Sequence, residues 1–142
     1  MCIMSAPKPL PFSQALPILI AALAELHKSI GPFGVCPTGS VEYRDVELAR
    51  AEVNAALNSP VHYIEACADA RAATDAADIA IRASEAAVDA ELGKTRGTRS
   101  WWIADGRARD AYSVASELNK ISVMTNNRAT TAAFAAAKAR VS

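Results

Sequence analysis

Residues 59–93 read SPVHYIEACADARAATDAADIAIRASEAAVDAELG. Ser59-Pro60 opens a helix, with an N-cap residue followed by proline at the first helical position, and Gly93 is the first clear stop. Tyr63, Cys67, Ala70, Thr74, Ala77, Ile81, Ser84 and Val88 recur in alternating steps of four and three. That is heptad spacing with a small residue at nearly every contact. The opposite face carries Arg71, Asp75, Asp78, Arg82, Glu85 and Asp89, and Arg71–Asp75 and Asp78–Arg82 are spaced for pairing one turn apart. A helix of about 33 residues is roughly 50 Å long, whereas a compact domain of this chain length is about 35–40 Å across. Unbroken, it overhangs its own domain. The expectation is either a break near Thr74-Asp75 or an overhang packed on another subunit, and the second is preferred.

Working outward, the rest of the chain reads the same way. Leu16, Leu19, Leu23, Leu26 and Ile30 form the strongest apolar stripe of the sequence, predicting a first helix over about 14–30. Ser13 is its candidate N-cap, Pro17 lies in its first turn, and Gly31-Pro32 is its stop. In the loop that follows, Phe33 and Val35 are expected to fold back onto this core. A second helix is expected over about 41–57, capped by Ser40, with Val46, Ala49, Val53 and Leu57 inward. A fourth starts at Trp101 or Asp105 and runs to Met124, with Ala108, Ala111, Tyr112, Ala115, Leu118 and Ile121 inward. Thr125-Asn126-Asn127 reads as a turn, and a last alanine-rich helix spans about 128–140 with Phe134 and Val141 as its only large apolar groups. Such a helix buries little area and needs a partner. Ahead of everything, Pro7, Pro9 and Pro11 alternate in an arm (1–12) expected to be extended. Residues 13–142 then form a single domain. The fold class is all-α, a bundle of four to five helices with a long alanine-rich third helix.

Composition agrees. The chain has 142 residues, a 51% hydrophobic fraction and 21% charged residues, which describes a folded globular protein rather than a disordered one. Alanine alone supplies roughly a fifth of it, so large apolar side chains are scarce and helices are expected to approach closely. β-Branched and aromatic residues nowhere cluster with period two over a strand length. With 15 basic and 15 acidic residues the formal charge is zero, which gives no whole-domain attraction to nucleic acid or anionic lipid. Cys2, Cys36 and Cys67 show no C-x-x-C spacing; three reduced thiols are expected rather than a disulfide framework or zinc site.

Leu16–Ala24 with Lys8 ahead of it resembles a signal-peptide core in length. Pro17 interrupts it, however, and its apolar residues fall on one helical face, so it is assigned to the folded domain. The expected location is the cytoplasm or the inside of an assembled particle, without a membrane span.

Motifs for chemistry fail one by one. Gly93-Lys94-Thr95 lacks the glycine five residues earlier that a phosphate loop needs, that position being Val88. His27 and His62 have no ligand-spaced partner. The carboxylate pairs Glu65/Asp69 and Glu85/Asp89 lack the Glu-x-x-His motif of di-metal bundles, and no G-x-S-x-G is present. No enzyme, cofactor, metal or small-molecule site is expected. The densest candidate is Lys94, Arg96, Arg99, Trp101, Trp102, Arg107 and Arg109. Tryptophan and arginine are favoured interface anchors, and basic residues interleaved with aromatics also suit phosphate contact with base stacking. Asp105 and Asp110 dilute the local charge, so protein association ranks ahead of nucleic-acid binding. The leading expectation is a non-enzymatic protein working by self-association or by docking on a protein partner, as a subunit of an assembly such as a virion component. A small inhibitor or regulator, and a nucleic-acid binder using 94–109, are the rivals.

Overall fold

The computed structural model describes residues 8–31 and 40–141, and all regular structure among them is helical. Four helices follow one another: α1 (Phe12–Ile30), α2 (Val41–Asn58), α3 (Tyr63–Leu92) and α4 (Arg99–Val141). Among the described residues no helix is long and apolar enough to cross a membrane.

Helix α1 buries Phe12, Ala15, Leu16, Leu19, Leu23 and Leu26, the leucine stripe expected of it. It begins earlier than Ser13 would set it. Pro11, at φ −57° and ψ 147°, lies in the polyproline region, and its carbonyl accepts from Gln14 and Ala15 N–H. Of the arm, residues 1–7 lie outside the described residues, as do Phe33, Val35, Cys2 and Cys36. Helix α2 is capped as its sequence implies, with Ser40 Oγ accepting from Tyr43 N–H at 3.1 Å, and it turns Val46, Ala49, Val53 and Ala56 inward.

Helix α3 is unbroken, and its overhang is covered from within the chain. The covering element is α4, 43 residues long and thus about 65 Å. Side chains matched along the two helices fix their antiparallel register: Thr74 Oγ1 lies 3.0 Å from Ser122 Oγ, and Asp69 Oδ2 accepts from Arg128 at 3.0 Å. The face α3 turns inward is Ala66, Ala70, Ala73, Ala77, Ala80 and Ser84, with Asp69 beside it. That is the expected face rotated by about one residue: Cys67 and Val88 are exposed, and Thr74 and Ile81 lie on its shoulder. Alanine occupies the centre line because close helix approach leaves no room for larger groups there. N-capping falls to His62, whose Nδ1 accepts from Ile64 N–H at 3.2 Å, rather than to Ser59.

The expected fourth and fifth helices are one. Thr125-Asn126-Asn127 is not a turn but mid-helix, where the Thr125 and Asn126 side chains bond back along the helix. Thr125 Oγ1 donates to the Ile121 and Ser122 carbonyls at 3.0 and 2.9 Å, and Asn126 Nδ2 donates to Ser122 O at 2.8 Å. Asn126 also reaches Thr74 Oγ1 at 3.2 Å. Residues that compete with the backbone in a turn here reinforce the seam. Ala108, Ala115, Leu118 and Ile121 face inward as expected, whereas Tyr112 is exposed.

The α1–α2 hairpin lies against one stretch of the α3–α4 hairpin. A common core draws on all four helices, ending at Ile81 on α3 and starting at Val114 on α4. Among the described residues, two sets of polar bonds and one close polar approach join the hairpins. Arg50 grips Glu117 bidentately (Nε to Oε2 2.9 Å, NH2 to Oε1 2.6 Å). Arg128 donates to the Ala56 and Ser59 carbonyls at 2.9 and 2.8 Å as well as to Asp69. His27 Nδ1, enclosed and without an aligned hydrogen bond, lies 3.3 Å from Asp110 Oδ1. Past these ties, among the described residues, α3 and α4 continue as a two-helix projection, sealed by small residues such as Ser84, Ala104 and Ala108. At the opposite end α4 runs on past the start of α3.

Candidate functional site

The projection ends in the loop between α3 and α4, and all seven candidate residues lie at or near it. The loop is built from local chemistry. Lys94 N–H bonds back to Glu91 O at 3.0 Å, and Gly97 takes φ +88°, a left-handed value that glycine adopts without strain. Thr98 then caps α4. Its Oγ1 accepts from Trp101 N–H at 3.2 Å and donates to Thr95 O at 2.7 Å. This cap starts α4 at Arg99, ahead of the expected Trp101 or Asp105.

Neither tryptophan anchors in the core. Trp101 is half-buried and Trp102 is 47% exposed. Their rings meet edge to face at 4.7 Å and 77°, and the Arg96 guanidinium lies over the Trp101 ring at 5.8 Å from its centroid. This is within cation–π range. Lys94, Arg96, Arg99, Arg107 and Arg109 are exposed. Between Gly93 and Ala104 the chain carries three cations and no carboxylate.

The seven residues do not form one patch with one task. Lys94 and Arg107 share a cleft of about 430 Å³ with Ser100, Ile103 and Ala104. Arg109 is instead engaged by Asp105 at 3.2 Å, one turn away. Asp105 in turn stands beside Glu91 across the hairpin. The Glu91 carboxyl is pushed up from its ordinary range, first by desolvation and then by the Asp105 carboxylate, against the pull of Arg109. The tip is therefore a cationic, aromatic cap on a neck where two carboxylates face each other.

The structure also forms a site that pattern reading did not find. Asp69 and Arg128 are an ion pair whose side chains are 7% and 13% exposed. Burial pushes the Asp69 carboxyl up from its ordinary range, and the Arg128 hydrogen bond opposes this. The expected Glu65/Asp69 face is thereby divided, with Glu65 in solvent and Asp69 enclosed. Among the described residues no three of His, Cys, Asp or Glu converge on a point that could hold a metal ion.

No family model matches the chain, and neither a curated protein nor a solved structure matches it.

Proposed function

We propose that the protein works by association rather than by catalysis, and that the tip of the α3–α4 hairpin is the surface it presents to a protein partner. The observation that carries this reading is the projection itself. It takes Trp102, the Arg96–Trp101 stack, Lys94 and Arg99 beyond the common core, which ends at Ile81 and Val114. Exposed tryptophan beside arginine is the composition of interface anchors. Working within a larger particle, such as a virion, fits a chain with such a projection and with formal charge near zero.

Nucleic-acid binding is the second reading, supported by the run of three cations without a carboxylate and by a stacking tryptophan.

Tryptophan emission separates the two, because Trp101 and Trp102 are the chain's only tryptophans. Against a single-stranded oligonucleotide, emission is expected to stay unchanged at both low and about 0.15 M salt. Quenching that disappears with salt and in Arg96→Ala would replace the protein-docking reading by the nucleic-acid one. A photo-crosslinking residue at 102 is expected to trap a discrete protein adduct in the source cell. The same residue at Arg82, on the outer face, is expected to trap none. Equal trapping at both positions would overturn the assignment of the tip.

A further inference from the structure

A second exposed apolar surface lies between α1 and α2, and its described lining draws on these two helices alone. Ile18, Ala21, Ala22, Leu48 and Ala49 floor a groove of about 380 Å³, and Glu25, Glu42, Asp45 and Glu52 rim it. Ile18 and Leu48 are 48% and 60% exposed. Among the described residues the lining contains four carboxylates and no cation. Such a surface suits a helix that is apolar on one side and cationic.

The chain owns that element. Val61 and Ala132 close the small cluster at the start of the α3–α4 seam. Beyond it α4 continues through Phe134, Ala137, Lys138, Arg140 and Val141 without α3 alongside. Phe134 and Val141 are 72% and 89% exposed. Seven residues apart, they share one helix face, with Ala137 and Lys138 between them. Arg140 is a basic residue of the last turn. Residues 134–141 are about 12 Å long, and the groove from Ile18 to Glu25 runs about 10 Å along α1. Length, apolar content and charge sign all match. Because α4 is one uninterrupted helix, its end has no hinge by which to reach the groove of its own chain.

We infer that the α4 end of one copy docks in the acidic α1–α2 groove of a second copy. This deepens the association reading but is independent of the tip, which stays available to another partner. The contact is head-to-tail, so it propagates unless a ring closes. One short helix buries less than a standard interface, so the association is weak, concentration-dependent and reduced by salt.

The test uses full-length protein in light scattering over a tenfold concentration range. Wild type is expected to rise above 14.9 kDa with concentration. A groove variant (Glu25→Lys with Asp45→Lys) and an end variant (Phe134→Glu with Arg140→Glu) are each expected to stay monomeric, with unchanged helical circular dichroism. Mixed one to one, they are expected to form a dimer and nothing larger, because one retains an intact end and the other an intact groove. Trp102→Ala is expected to associate like wild type. A monomeric wild type overturns the inference and leaves the tip reading standing. Variants that associate normally, or a mixture that stays monomeric, overturn it too. Association lost in Trp102→Ala moves the contact to the tip.

Discussion

The two hairpins solve the same packing problem with opposite materials. Helix α1 brings Phe12, Leu16, Leu19, Leu23 and Leu26 to its interface, while α3 brings Ala66, Ala70, Ala73, Ala77 and Ala80 to its own. Large side chains hold α1 by area removed from water, at roughly 25 cal/mol per Å². Alanine removes little area, so the α3–α4 seam depends on length, on close approach and on polar groups matched across it, such as Thr74 with Ser122 and Asp69 with Arg128. A leucine interface is expected to fail by being emptied. An alanine seam is expected to fail by being filled or by losing a partner charge.

Four experiments probe that contrast. Leu19→Ala empties a fully buried site in the common core and is expected to cost about 3–4 kcal/mol in urea denaturation. A loss below about 1 kcal/mol would mean that the leucine core is not what holds the hairpins together. Arg128→Ala leaves Asp69 enclosed without its cation and is expected to cost about 3 kcal/mol. Adding Asp69→Asn should recover part of that loss, since no unpaired charge then remains buried; a double variant worse than the single one contradicts this. Ala66→Leu overfills a fully buried seam position, with an expected cost of about 2 kcal/mol. No destabilisation there would show the seam to be loose.

The smallest effect is in pH dependence. The folded-state value of Asp69 is raised, so its contribution to stability is fullest below the unfolded value and is lost as pH rises through the folded one. Compared with Asp69→Asn, wild type should therefore fare better at about pH 3.5 than at about pH 7. Midpoints shifting the other way would mean that the ion pair outweighs burial.

What could be read in advance follows the same division. The α1 stripe was legible because leucine at steps of three and four has one reading. The inward face of α3 lies about one residue from the heptad stripe because alanine populates both sides of that helix and leaves the rotation undetermined. The continuity of α4 was hidden because Thr125, Asn126 and Asn127 suit a turn as well as a helix, and their hydrogen bonds along α4 leave no trace in the order of residues. The tip residues were visible as a basic and aromatic cluster, although Arg109's engagement with Asp105 was not. Arg50–Glu117 and Arg128–Asp69 join residues 67 and 59 positions apart, a distance that local spacing does not bridge. The acidic groove leaves no local pattern in the sequence because its carboxylates come from two helices.

The common core has one more consequence, for the order in which the protein is made. Leu16 to Leu26 are covered partly by Ala115, Leu118 and Ile121 of α4. During synthesis the leucines emerge about 95 residues before Ile121 does, an interval of about 5–20 s at ordinary ribosomal speed. The leucine stripe of α1 spends that time without its α4 cover.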